Sequence, residues 1–195
     1  MPGAVPAWPM RHGATEWSEA GRHTGRTDVP LTTEGEDQAR RLGDQLRDRL
    51  AGRAFARVLV SPLARARRTC ELAGLGDRAE VVADLVEFDY GDYEGLTTEQ
   101  IRERVPGWTI WTGPCPGGES LDEVAARADR VIEQVRAVPS GDVALFAHGH
   151  VLRILTARWC GLAPREGRCF SLDPATCSVL GWEHEYPTVR RWNQT

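Results

Sequence analysis

Asp142-Val143-Ala144-Leu145-Phe146-Ala147-His148-Gly149-His150 decides the architecture of this chain. Its apolar run is too short for an ordinary helix and carries β-branched and aromatic side chains, which predicts a strand buried on both faces. The strand delivers His148 at its end, and a second apolar run from about residue 150 to Trp159, stopped by Gly161, predicts a helix directly after it. A strand running into a helix is the repeating unit of α/β folds. It leaves an imidazole at the carboxyl end of a strand, where open α/β sheets bind ligands.

The same pattern recurs upstream. Arg57-Val58-Leu59-Val60-Ser61 is a second short strand, and Pro62 then opens a helix that carries Arg65 in its first turn and ends near Gly74. At the start of the chain, Met10-Arg11-His12-Gly13-Ala14-Thr15-Glu16-Trp17 brings another imidazole to the end of an expected strand. Pro6 and Pro9 flank Trp8 there, and proline lacks the amide hydrogen of a central ladder, so this strand is expected to be very short or to pair irregularly.

Thr33 with Glu36 forms a capping-box pattern ahead of Ala39, Leu42, Leu46 and Leu50, predicting a helix over 33–50. Ser120 with Glu123 opens another, faced by Leu121, Val124, Ala128, Val131, Ile132 and Val135 and ended by Pro139 and Gly141. A shorter helix is expected around 98–105. Segment 106–119, rich in proline and glycine around Trp108 and Trp111, reads as a loop whose tryptophans pack as a lid on the core. Cys169 to Leu172, Cys177 to Trp182 and Val189 to Trp192 read as short antiparallel edge strands or a hairpin. The alternation gives class α/β, with a parallel or mixed sheet flanked by helices.

The 195 residues fit one domain, 1–195, with one substantial core. No apolar run reaches the roughly 20 residues of a membrane helix, and the first fifteen residues carry prolines in place of a basic stretch and apolar core, so no leader is expected. A net charge of −4 gives no global field for nucleic acid or anionic membrane. All 24 basic side chains are arginine, so any phosphate clamp here uses planar, permanently charged guanidinium groups. The five cysteines are odd in number, scattered and without a C-x-x-C pair, which argues against a disulfide framework or zinc knuckle and for a reducing cytoplasm. Neither cofactor nor metal is expected, since no Asp or Cys stands at ligand spacing beside His150. His23 and His184 are lone and read as surface or loop residues. Arg67 and Arg68 read as a solvated helix face.

Chemistry concentrates in four places: the Arg11-His12 and His148 strand ends, the helix start at Arg65, and the carboxylate-rich run Glu87-Phe88-Asp89-Tyr90-Gly91-Asp92-Tyr93-Glu94-Gly95. A helix N-terminus attracts anions and an arginine there adds a bidentate donor. Phosphoryl transfer needs little beyond positioning and charge stabilisation, which guanidinium and imidazole groups supply.

In this order and at this spacing, the four motifs resemble the histidine phosphatase superfamily, which includes the cofactor-dependent phosphoglycerate mutases. Gly25-Arg26-Thr27-Asp28, Pro30-Leu31-Thr32 with Gly35, and Gly118-Glu119-Ser120 fit as well, and the resemblance runs from about residue 10 to 182. It implies a single-domain, three-layer α/β/α sandwich with a mostly parallel central sheet and helices on both faces. It implies His12 as the nucleophile that becomes phosphohistidine, with Arg11, Arg65 and His148 around the phosphoryl oxygens. His12 must be neutral at its attacking nitrogen, whereas His148 is expected to work protonated. Glu87 is implied as proton donor, its acidity matched to the task by burial beside Tyr90 or Trp17.

Ser18 stands where the mutases carry an asparagine. Glu16-Trp17-Ser18, His23-Thr24-Gly25, the 87–95 and 108–119 segments and His148-Gly149-His150-Val151-Leu152-Arg153 look most like a branch containing sedoheptulose bisphosphatases and acid phosphatases. That implies a substrate pocket lined by Ser18, Thr24, Gly25, Tyr90, Gly149, His150 and Arg153, the last meeting a second anionic or hydroxylated end of a sugar-like substrate. The expected activity is metal-independent hydrolysis of a small phosphate monoester. Mutase chemistry uses the same residues but needs a closing tail, for which the sequence after Arg190-Arg191-Trp192 leaves little. A catalytically silent binding member is the third reading. The expected partner is a small phosphorylated molecule, with neither nucleic acid nor membrane; a homodimer is allowed.

Overall fold

The computed structural model describes residues 4–195. In chain order the elements are β1 (Ala7–Arg11), α1 (Glu16–Glu19), α2 (Thr33–Leu50), β2 (Arg57–Val60), α3 (Ala64–Leu72), β3 (Ala79–Val81), α4 (Thr98–Arg104), α5 (Leu121–Arg136), β4 (Val143–Ala147), α6 (Gly149–Trp159), β5 (Cys177–Glu183) and β6 (Tyr186–Gln194). One six-stranded sheet has the order β3-β2-β4-β1-β5-β6. Its first four strands run parallel, and the β5–β6 hairpin adds two antiparallel ones.

Side-chain alternation explains why the central strands read as unbroken apolar runs. Leu59, Val143, Leu145 and Ala147 face one core with α5 and α6, whereas Val58, Val60, Ala144 and Phe146 face the other with α2 and α3. Both faces are covered, so each buried Val, Leu or Phe among them contributes roughly 1.5–3 kcal/mol by leaving water. Among the described residues no helix is long and apolar enough to cross a membrane.

The first strand resolves its proline problem by pairing irregularly on one side. β1 pairs residue by residue with β4 from Ala7↔Val143 to Arg11↔Ala147. Towards β5 it registers only at Ala7↔Leu180 and Met10↔Cys177, so Pro9 falls between the two points of that ladder. The hairpin expectation holds for β5 and β6. The segment Cys169 to Leu172 is not a strand: a 3-10 turn occupies Pro164–Cys169, and the carbonyl of Leu172 accepts from Arg11 instead of a neighbouring strand.

The capped helices form as their sequences predict. In α5 the Ser120 hydroxyl accepts from the Glu123 amide while the Glu123 carboxylate accepts from the Ser120 amide. The cap of α2 lies one residue earlier than expected, on Thr32, whose hydroxyl accepts from Gly35. Trp108 is buried and its indole donates to Pro114, so the 106–119 loop packs on the core through it. Arg67 and Arg68 are exposed on α3. All five cysteines are free.

Two glycines dock the turn after β1 on the start of α2. A Cβ on Gly13 would lie 2.2 Å from the Gly35 carbonyl oxygen, and one on Gly35 would lie 2.1 Å from that of Ala14. The backbones touch there, which fixes the loop carrying His12.

Candidate active site

A cavity of about 190 Å³ opens at the carboxyl ends of β1 and β4, with Arg11, His12, Glu87 and Gly149 on one side. His12 leaves β1 with its amide still bonded to the Ala147 carbonyl at 3.0 Å. Its Nδ1 lies 2.7 Å from the Gly13 carbonyl oxygen. A carbonyl only accepts, so Nδ1 carries the ring hydrogen and Nε2 is left with a bare lone pair.

His148 takes the opposite tautomer. The two rings lie 5.1 Å apart. Arg65 Nε donates to His148 Nδ1 at 3.1 Å, and the other ring nitrogen, Nε2, lies 2.7 Å from Ser61 Oγ. A guanidinium has no lone pair to offer, so the single hydrogen of His148 sits on Nε2 and is donated to Ser61. Burial holds both histidines well below the usual imidazole range, and neighbouring guanidinium charge from Arg65 and Arg11 adds to it. His148 is therefore neutral in this arrangement, because a second ring hydrogen would collide with the Arg65 N–H.

Arg11 and Arg65 divide the expected clamp unequally. Arg11 donates to Leu172 at 2.6 Å, lines the cavity, and keeps a buried Nε with no hydrogen-bond partner among the described residues. A buried, unpaired guanidinium donor beside a cavity is suited to an anion. Arg65 is fully buried and stands behind His148, off the cavity wall, with four of its five N–H donors engaged inside the protein. Besides His148 they reach the carbonyls of Thr27 at 2.8 Å, Thr24 at 3.0 Å and Gly25 at 2.9 Å. The anion at the start of α3 is also internal, since Asp28 accepts from the Ala64 amide at 2.9 Å.

The Glu87 carboxylate is buried and held by three backbone amides, those of Phe88 (2.8 Å) and Val151 (2.9 Å) on Oε1 and of His150 (3.0 Å) on Oε2. The Trp17 ring packs where a Gly95 Cβ would stand. Tyr90 neighbours the Glu87 carboxylate and shares a 2.7 Å hydrogen bond with His150 Nδ1. Burial pushes the Tyr90 phenol well above its usual range and His150 well below.

The other expected pocket residues separate into lining and support. Ser18, Thr24, Tyr90, Gly149, His150 and Arg153 line the cavity. Ser18 Oγ takes the Thr15 amide in a capping box, and the Thr24 hydroxyl donates to the Arg22 carbonyl. Gly25 does not line it: a Cβ there would lie 2.5 Å from the Phe88 carbonyl oxygen, and its amide donates to Glu94. Arg153 lies over the Trp111 ring at 4.5 Å and donates to the carbonyls of Gly167 and Arg168. A Cβ on Gly167 would meet both the Trp111 ring and the Arg153 backbone, so that turn is packed directly against the rim.

Sequence reasoning missed four contributors. His23 is buried in the cavity wall against Tyr90 and Trp108, not on the surface, and its place inside the motif shared with Thr24 and Gly25 was the available signal. Ser61 ends a strand as His148 does. Glu94 accepts the amides of Gly25 and Thr27, and Asp28 caps α3 from 36 residues away. Among the described residues no three His, Cys, Asp or Glu side chains gather as a metal site.

These histidines make acid stability a test of the wall. Burial, opposed by Glu99, pulls His23 down to about 4, while an unfolded histidine titrates near 6.5. As pH falls below that value the unfolded chain binds the proton first, so stability present above it is lost progressively through about 4. For His23 alone the full loss is about 3 kcal/mol. Urea midpoints should fall steadily between about pH 7 and pH 4 and fall less in His23→Gln; parallel curves for the two proteins would remove His23 from the buried wall.

Comparison with known proteins places this geometry in a family. The model described as histidine phosphatase superfamily (branch 1) matches residues 8–195. An acid phosphatase of Mycobacterium tuberculosis is 43% identical over 176 residues, 90% of this chain and 85% of that protein. Sedoheptulose 1,7-bisphosphatase of Saccharomyces cerevisiae is 35% identical over 191 residues, 84% of this chain and 70% of that protein. The crystal structure of an open reading frame from Mycobacterium tuberculosis superimposes with a TM-score of 0.92 at 39% identity, covering 98% of each chain.

Proposed function

This chain belongs to the histidine phosphatase superfamily (branch 1), and from that premise we propose that it hydrolyses a small sugar phosphate or similar metabolite through a phosphohistidine on His12. The observation that carries the reading is the bare Nε2 of His12 beside an unpartnered Arg11 donor and the Glu87 carboxyl group in one cavity. Nε2 attacks phosphorus, Arg11 and His148 donate to the phosphoryl oxygens, and the ester oxygen leaves with a proton from the acid form of Glu87. Glu87 then takes a proton from water, whose oxygen attacks phosphorus; the P–N bond breaks and His12 is returned neutral. Two easier displacements replace one difficult one.

Support for a sugar-like substrate comes from the rim. Arg153, which lines the cavity and is backed by the half-buried Trp111 ring, offers charge to a hydroxylated or second anionic end, and one relative is named for a sugar bisphosphate. A phosphate-release screen across sugar monophosphates and bisphosphates, nucleoside monophosphates and 3-phosphoglycerate tests the class. A preference for nucleoside monophosphates, or isomerisation of 3-phosphoglycerate outrunning phosphate release, would overturn it.

Glu87→Gln is expected to slow both displacements, lowering kcat by about 10²–10³-fold. Competitive inhibition by inorganic phosphate should change far less, because Arg11 and the histidines remain. Unchanged turnover would remove Glu87 from proton transfer.

A further inference from the structure

We propose that Ser61 is a positioning residue for the reaction: it holds the one ring hydrogen of His148 in the free enzyme, releases it to a phosphoryl oxygen when substrate seats, and takes it back as phosphate leaves. His148 thus works throughout as a neutral donor. The inference rests on the reading that His12 and His148 flank the transferred group, and adds to it a residue that acts only through His148.

Four observations on separate elements converge on it. Ser61 follows β2 directly, is fully buried, and has its amide tied to Phe146 of β4 at 2.9 Å, so its hydroxyl is fixed relative to the strand that delivers His148. The His148 Nε2 to Ser61 Oγ distance of 2.7 Å is that of a short, well-formed hydrogen bond. Arg65 Nε saturates the other ring nitrogen, and Arg65 is itself immobilised on three loop carbonyls, so the tautomer has no freedom to invert. The His12 ring lies 5.1 Å away. His148 itself is fully buried just behind the cavity wall, so a phosphoryl group on His12 Nε2 would have to press toward it for its oxygens to compete with Ser61 Oγ for the Nε2 hydrogen.

The chemistry gains by this arrangement. A donor without an acceptor in a buried pocket would be destabilising in the free enzyme. It would also leave the ring free to turn away between cycles. Ser61 supplies a weak neutral acceptor that a charged phosphoryl oxygen outcompetes, since bonds to ionised acceptors are roughly twice as strong. No proton is transferred in the exchange, only a hydrogen bond.

The test is the tautomeric state of the two histidines in the free protein, read from long-range proton–nitrogen correlations in a sample labelled with ¹⁵N-histidine. His12 is expected as the Nδ1–H form and His148 as the Nε2–H form, with the His148 Nε2 hydrogen slow to exchange. Ser61→Ala should lose that slow hydrogen and lower kcat by about 10–100-fold, in the range of misplacing a group by about an ångström. KM should move much less, and Ser61→Thr, which keeps the hydroxyl, should recover most of both. Vanadate should shift the His148 Nε2 signal in the wild type. A doubly protonated or Nδ1–H His148 in the free wild type overturns the proposal even if Ser61→Ala fails to fold, and so does a folded Ser61→Ala with wild-type kcat. Failure of the phosphohistidine reading shows elsewhere, as turnover surviving in His12→Asn, and leaves the tautomers of the free protein unaltered.

Discussion

His12→Asn is expected to abolish turnover for practical purposes, by a factor on the order of 10³ or more, as removal of a covalent nucleophile does. The asparagine amide reaches roughly where Nδ1 sits, so the bond to the Gly13 carbonyl is kept and the loop docked on Gly35 need not move. Arg11 and Glu87 remain in place, so inorganic phosphate should still inhibit at a similar concentration. The measurement is twofold: steady-state phosphate release, and trapping of a phosphoenzyme that survives alkali and is lost in acid. Wild-type protein should trap it and the variant should not. Turnover within about tenfold of wild type would show a different nucleophile, whatever the substrate.

Arg65→Ala should damage both catalysis and folding. Four hydrogen bonds are lost at once, and the carbonyls of Thr24, Gly25 and Thr27 are left without their donor together with His148 Nδ1. Leaving a buried acceptor without its donor costs about 1–3 kcal/mol, and several are left here. The tautomer of His148 is freed and the 24–28 loop loses its anchor, so kcat should also fall by about 10³-fold. Asp28→Asn is the comparison: it weakens the α3 cap and a 3.8 Å charge contact only. It should cost about 1 kcal/mol and leave kcat near wild type. Urea unfolding of both variants checks the order. A loss below about 1 kcal/mol in Arg65→Ala would mean that the loop is held by other contacts, chiefly Glu94.

The parts of this molecule that were legible in its sequence are those decided by neighbours in the chain. β2 and β4 could be read because burial on both faces demands an unbroken apolar run, and α5 because its cap and its face recur within a few residues. Arg11, His12 and His148 could be placed near one another because strand ends converge in an α/β sheet, whereas Glu87 joined them only through the motif resemblance. What could not be read depends on partners far along the chain. Pro9 argues against a central strand until the β5 ladder is seen to skip it. The three carbonyls from residues 24–27 that Arg65 holds, and through them its bracing of that loop, are out of reach of the sequence. The tautomer of His148 was out of reach for the same reason, since it is dictated by Arg65 from 83 residues away.

Because Arg153 hangs on carbonyls rather than side chains of the 164–169 turn, and Gly167 seats that turn against Trp111, the rim behaves as a cassette. The identities of Arg165, Glu166 and Arg168 are free to drift while the guanidinium stays where it is, and a change in turn length would move it as a unit. The phosphoryl end is braced from elsewhere, by α3 and by the loop docked on α2. Descendants of this scaffold are therefore expected to acquire new substrates by altering the 164–172 segment and residue 111, and libraries built to redirect it would gain most from randomising there while leaving residues 11–15 and 61–65 alone.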